Sequence, residues 1–299
     1  MSKTTLLKSI KRYLEAGGVE IYDALAVETT TICDHNACPY CYMDCREGIR
    51  QNMTMATARA VAATLKELKI SPREIWLPGG EPMMGPRLHE IIEVLAPFSD
   101  YFALITNGRV LSDPNRVRDL LQNPKIKEVA VSLHSADRVT HNWLVGHGAD
   151  SSAYDWAIRA IVLLAQEDSE LTVSVNLNIN EGADLEPLID EVESRGGRID
   201  KVMFQVVNFD VARAARIPAK DKMQAFCRPT EEMVNEYFLQ ADALIASGRI
   251  REAMLIDALP DDVLKGVSRD YEKRFYQPAA TPAVGVNGSY RADVVRRFE

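Results

Sequence analysis

"ETTTICDHNACPYCYMDC", residues 28–45, holds four of the five cysteines of the chain, and the fifth, Cys227, lies far downstream. The spacing is Cys33-x4-Cys38-x2-Cys41, then three residues and Cys45. Disulfide staples have little to do here, because a chain of 299 residues buries roughly 75% of its unfolded surface and can build a full core. The opening residues, "MSKTTLLKSIKRYLEAGG", carry no long apolar run or cleavage site; they read as an amphipathic helix with Leu6, Ile10, Tyr13 and Leu14 on one face. The chain is therefore expected to be cytoplasmic, where clustered thiols serve more often as ligands than as cystines. No apolar run approaches the roughly 20 residues needed to cross a membrane, so no membrane partner is expected.

On either side of the thiol loop, short β-type runs alternate with helical patterns. The runs are "ALAVETT" (24–30), "REIWLP" (73–78), "YFALIT" (101–106), "KEVAVSLH" (127–134), "LTVSVNLN" (171–178) and "KVMFQVV" (201–207). One intervening helix starts at an N-cap, Thr54, with Ala58, Val61, Leu65 and Leu68 as its apolar stripe; another places Leu185, Leu188, Ile189 and Val192 together and stops at Gly196. Strands that alternate with helices require crossovers and so a parallel sheet, either open or curved into a partial barrel. The expected fold is α/β, a partial (β/α)6 TIM-like barrel over residues 24–210, preceded by the helical segment 1–23. Residues 211–299 form an extension packing on the barrel, with a helix capped by Thr230 and ended by Gly248, and a hairpin turning on Asn287-Gly288.

The net charge is −8 and the basic residues are scattered. Nucleic acid is not an expected partner, since polyphosphate binding draws much of its free energy from Lys and Arg displacing counterions.

By spacing alone the thiols admit three readings. A structural zinc site would bring four thiolates onto one ion, usually from two close pairs separated by a longer loop, which this is not. A ferredoxin-type clasp would use the Cys-x4-Cys-x2-Cys run with a distant fourth ligand such as Cys227, as in a non-catalytic electron carrier. A third reading leaves three thiolates on a [4Fe–4S] cube with one iron open to a non-protein ligand. Position favours the third. The loop follows the first strand, ligands of α/β sheets bind at carboxyl ends of strands, and later strands end in "PGGEPMMG", "TNG", "SLHS" and "NLNIN".

With the aromatic before Cys41, the Gly79-Gly80-Glu81-Pro82 stretch and the strand order, residues 24–210 resemble the radical S-adenosylmethionine (SAM) enzymes. The loop departs from the usual Cys-x3-Cys-x2-Cys by one residue in "DHNA", which is expected to bulge outward at small entropic cost. The resemblance implies that Cys33, Cys38 and Cys41 ligate a [4Fe–4S] cluster, that SAM chelates the remaining iron, and that reduction yields a 5′-deoxyadenosyl radical able to take hydrogen from a substrate. Tyr40 would cover the cluster and touch the adenine, or simply pack the loop. Gly79 and Gly80 would let backbone approach SAM, and Glu81 would accept from its ammonium group or serve as a helix N-terminal acid. Asn107, Ser132, His134, Asn178 and Asn180 are further candidate SAM contacts. Asn176, Asn178 and Asn180 share a face by the period of two, and turn or core chemistry is the competing role for this group. Cys227 is a candidate hydrogen-atom donor or a buried small hydrophobe. The expected partners are a small-molecule or short-peptide substrate, as in natural-product biosynthesis, and an external electron donor such as flavodoxin or ferredoxin. RNA modification or cofactor biosynthesis is the alternative.

Overall fold

The structure is a computed structural model that describes residues 24–35, 38–41, 45, 50–182, 184–207, 220–256, 259–275, 283–284 and 290–291. The helix expected in 1–23 and the Asn287-Gly288 turn lie outside the described residues.

Seven parallel strands form the sheet in sequence order: β1 (Ala24–Val27), β2 (Glu74–Leu77), β3 (Tyr101–Thr106), β4 (Ile126–Ser132), β5 (Thr172–Asn178), β6 (Lys201–Gln205) and β7 (Glu252–Leu255). Each strand lies beside its predecessor, and crossovers of one hand then carry every connecting helix to the same face. The sheet therefore curves away from its helices into a half-barrel, where a reversal of strand order would have given an open, doubly wound sheet. The sequence pattern marks six strands. β7 extends the parallel series by pairing with β6 from Lys201↔Glu252 to Phe204↔Leu255. Beyond β1, β8 (Ala283–Val284) adds a further parallel neighbour and pairs antiparallel with β9 (Tyr290–Arg291), as the two arms of a hairpin would.

Helix boundaries follow their caps. In α1 (Met55–Leu68), Thr54 accepts from the Thr57 N–H, and Lys69 closes the helix in a left-handed conformation at φ 54°. After α2 (Leu88–Leu95), α3 (Pro114–Leu121), α4 (Arg138–Leu144) and α5 (Ala153–Glu167) comes α6 (Leu185–Ser194), which buries Leu185, Leu188, Ile189 and Val192. Gly196 follows α6 at φ +78°, where a side chain would be strained. α7 (Lys220–Cys227) precedes α8 (Glu231–Ala246), which Thr230 caps by accepting from the Met233 N–H.

The core fills the layer between sheet and helices. Phe102 and Phe204 are completely buried, each worth about 1.5–3 kcal/mol relative to an exposed side chain. No helix among the described residues is long and apolar enough to cross a membrane.

Candidate functional site

The carboxyl ends of β1 to β5 share one rim, and the thiol loop rises from the first of them. The segment after β1 is held from two sides. Thr31 N–H donates to the Gln51 carbonyl (2.9 Å) and Met53 N–H to that of Thr29 (2.8 Å), while from the end of β2 Gly80 N–H donates to Thr30 O (2.8 Å) and Glu81 N–H to Ile32 O (2.7 Å). A Cβ on Gly80 would fall 2.2 Å from Ile32 O, and one on Gly79 2.6 Å from Thr30 O. The close approach these glycines permit is thus to the chain's own backbone, immediately before Cys33.

Glu81 is completely buried. Its carboxylate accepts from Met83 N–H (3.2 Å), from the Thr106 hydroxyl (2.9 Å to each oxygen) and from Asn107 N–H (2.8 Å). It caps the short 3-10 turn Pro82–Met84 and ties the end of β2 to the end of β3. Burial outweighs these donors and pushes its pKa up to about 8. A neighbouring cation would restore the charged form.

Asn107 links this carboxylate to the thiols. Its side-chain amide donates to Asp34 Oδ1 (2.8 Å) and to Cys33 Sγ (3.7 Å), and its own Oδ1 accepts from Arg109 N–H in a tight turn. Arg109 pairs with Asp34 (Nε to Oδ2, 3.5 Å) and lies 4.4 Å over the Trp156 ring. His35 follows inward, its ring 5.0 Å from that of His147 and 5.9 Å from that of Trp156. The expected outward bulge is therefore not what Asp34 and His35 do: the longer loop packs His35 against α5, and its remaining residues, 36–37, lie outside the described residues. Arg109, His147 and Trp156 thus anchor the loop through Asp34 and His35, and only their distance in sequence hides them.

None of the five cysteines is in a disulfide. Cys45, which the expected ligand set left out, is buried with its Sγ 3.8 Å from Cys41 Sγ. Contacts with the Cys33 and Cys41 thiols, together with burial, raise its pKa. Cys38 is half-buried, and its carbonyl accepts from Cys41 N–H (3.2 Å).

A second group lies at β4 and β5. His134 Nδ1 accepts from Asn178 N–H (3.2 Å), and His134 N–H donates to His141 Nδ1 (3.1 Å). Burial depresses both imidazole pKa values, His134 to about 3. Each ring is neutral with Nδ1 as acceptor, so its proton sits on Nε2. Asn180 is consumed by the protein: its amide donates to the carbonyls of His134 (2.9 Å) and Asn178 (2.7 Å), and its Oδ1 accepts from Gly182 N–H. Ser132, half-buried, stands opposite Asn176 in the β4–β5 register. By contrast Asn176 Oδ1, Asn178 Nδ2 and the Tyr40 hydroxyl are buried without a hydrogen-bond partner. The Tyr40 ring meets that of His134 edge to face at 5.9 Å. Cys227 is completely buried with Leu144, Val207 and Met223, with Tyr40 packed against this small cluster. Burial pushes its pKa up to about 12, so it remains a thiol.

These donors suit a cluster and a polar organic molecule. In a [4Fe–4S] cube each thiolate takes a different iron, so the sulfurs need not share a point. Orphaned buried polar atoms at the same rim supply the hydrogen-bonding capacity a nucleoside needs.

Comparison with known proteins agrees with this reading of the class. Residues 27–192 match the family model "Radical SAM superfamily". With more than half of its length matched, the chain belongs to the radical SAM superfamily, whose cofactors are a [4Fe–4S] cluster and SAM. GTP 3′,8-cyclase of Microcystis aeruginosa (strain NIES-843 / IAM M-2473) is 27% identical over 173 residues, 56% of this chain and 51% of that protein. Streptococcus suis SuiB bound to S-adenosylmethionine superposes with a TM-score of 0.68 at 12% identity, covering 98% of this chain and 65% of SuiB. SuiB bound to the precursor peptide SuiA gives 0.65 at 12%, covering 96% and 63%. The chain thus spans about half the length of the curated relative and just under two thirds of SuiB; the likeness to SuiB is one of fold.

Proposed function

We propose that the protein is a radical SAM enzyme whose thiol loop binds a [4Fe–4S] cluster through Cys33, Cys38 and Cys41, and which abstracts hydrogen from a small molecule or short peptide. The observation that carries this is the convergence on one rim of the thiol loop, the Asn107–Cys33 contact and the unpartnered buried atoms of Asn176, Asn178 and Tyr40. When bound, the cluster and SAM supply one-electron chemistry ending in a 5′-deoxyadenosyl radical. The residues do the rest. Glu81 receives the SAM ammonium, which favours its charged form. Asn178 Nδ2 and Asn176 Oδ1 offer a donor and an acceptor to ribose hydroxyls, and His134 offers its Nε2–H. Tyr40 covers the cluster. Ser132 and Asn107 border the same space, while Asn180, Gly79 and Gly80 hold its walls. Cys227, kept as a thiol, retains the hydrogen that a donor to a substrate radical needs. The one-electron reductant is an external protein of the flavodoxin or ferredoxin kind, and the cytoplasm, where thiols stay reduced, suits the loop.

A peptide substrate is supported by the fold of SuiB, solved with a precursor peptide. A nucleotide substrate in cofactor biosynthesis is the second reading, favoured by the similarity to GTP 3′,8-cyclase.

The test is the electron paramagnetic resonance (EPR) spectrum of the anaerobically reconstituted, reduced protein with and without SAM. A [4Fe–4S] signal that changes on SAM addition is expected. A [2Fe–2S] signal indifferent to SAM would instead make the loop a ferredoxin-like clasp.

A further inference from the structure

The thiol loop contains one more sulfur than the proposed cluster needs, and that sulfur is not remote. Cys45 Sγ lies 3.8 Å from Cys41 Sγ, contacts Cys33 as well, and is only 3% exposed. The other spare thiol, Cys227, sits instead in an apolar cluster with Leu144, Val207 and Met223. Two of the three proposed ligands, Cys33 and Cys41, therefore have Cys45 in their immediate surroundings. A buried thiol 3.8 Å from one proposed ligand and interacting with a second cannot remain indifferent when a cube of iron and sulfide is built between them. It must move away or ligate.

We infer that Cys45 is a fourth, exchangeable ligand: it closes the remaining iron of the cluster while SAM is absent and yields that iron to the amino and carboxylate groups of SAM. This rests on the radical SAM reading above. Ligation needs the thiolate, so each closing of the iron by Cys45 releases one proton to solvent and each opening takes one up. Closure also lowers the apparent affinity for SAM by the fraction of protein in which the iron is open. If Cys45 holds the iron nine-tenths of the time, its removal tightens SAM binding about tenfold. The iron that would otherwise be the exposed corner gains a sulfur ligand during the time it has no substrate to serve.

The experiment compares the anaerobically reconstituted full chain with its Cys45→Ala variant in iron and sulfide content, in response to ferricyanide without SAM, and in SAM affinity by calorimetry. Ferricyanide takes one electron from a [4Fe–4S]2+ cluster with an open iron, which then loses Fe2+ and leaves [3Fe–4S]+. The expected result is a full cluster in both proteins, ready conversion to [3Fe–4S]+ in Cys45→Ala alone, and SAM binding about tenfold tighter in that variant. Equal conversion and equal affinity would overturn the inference and leave the radical SAM reading standing. Loss of the cluster from Cys45→Ala, combined with a wild-type EPR signal that ignores SAM, would overturn both. Should the variant not fold, the Mössbauer spectrum of the wild type decides alone: four sulfur-ligated irons before SAM and one distinct iron after it are expected, and a distinct iron already present without SAM excludes Cys45.

Discussion

The side-chain amide of Asn107 reaches Cys33 Sγ at 3.7 Å across 74 positions of sequence, while the backbone N–H of the same residue holds the Glu81 carboxylate at 2.8 Å. One residue at the end of β3 thereby couples the Cys33 thiol, a proposed cluster ligand, to the buried acid beside it. A donor aimed at a ligating sulfur stabilises the more negative, reduced cluster. Asn107→Leu removes that donor and leaves the backbone bond to Glu81 in place. With a net hydrogen bond worth about 1 kcal/mol, the cluster potential should fall by about 40 mV in an EPR-monitored redox titration. An unchanged potential would mean that the contact does not survive cluster assembly.

Glu81 makes stability pH-dependent in the protein without cofactors. Its folded pKa, raised to about 8, exceeds the ordinary 4.5, so the native state holds the proton more tightly than the unfolded chain does. The resulting stability is complete below pH 4.5 and is lost as pH rises through 8, at about 1.4 kcal/mol per pH unit in between. Urea melts of the cofactor-free protein should weaken across that window. Glu81→Gln should flatten the slope and cost about 1–3 kcal/mol overall, because Gln keeps one acceptor oxygen and turns its NH2 toward either Met83 N–H or Asn107 N–H.

The strand-end asparagines separate by what already occupies them. Asn180 is held by three hydrogen bonds to the protein, so Asn180→Ala should destabilise by about 1–3 kcal/mol. Asn178 Nδ2 has no partner, so Asn178→Ala should leave the melting midpoint of the cofactor-free protein nearly unchanged while weakening SAM binding several-fold. Calorimetric titration with SAM and thermal melts of both variants check the contrast.

Gly80→Ala should fail where Gly148→Ala does not. The new Cβ at 80 would lie 2.2 Å from Ile32 O, whereas nothing lies within 4 Å of the one at 148. Backbone must shift directly before Cys33, and iron incorporation should drop for Gly80→Ala while remaining at the wild-type level for Gly148→Ala.

All six strands read from the sequence fall within two or three residues of their observed ends, because each is an apolar run bounded by turn residues. β7 escaped that reading: it has four residues, starts with exposed Glu252, and carries too little pattern to stand apart from a helical extension. Helix ends were legible at Thr54, Gly196, Thr230 and Gly248, where local chemistry alone sets the conformation. The rim was legible as a set of residue types but not as contacts. Nothing local reveals that Gly80 faces Ile32, that Asn180 is already satisfied, or that His35 turns in toward His147; those are made by segments dozens of residues apart.

The pairing of β8 with β1 bears on the order of assembly. Val284 lies opposite Val27, six residues before Cys33, and until it arrives β1 is an edge strand with one side of its backbone unpaired. On a ribosome the strand that launches the thiol loop gains its second neighbour only after more than 250 further residues have been made. A nascent chain halted before β8 would present its thiols on an unfinished sheet edge, so a segment made much later sets when β1 is fully paired.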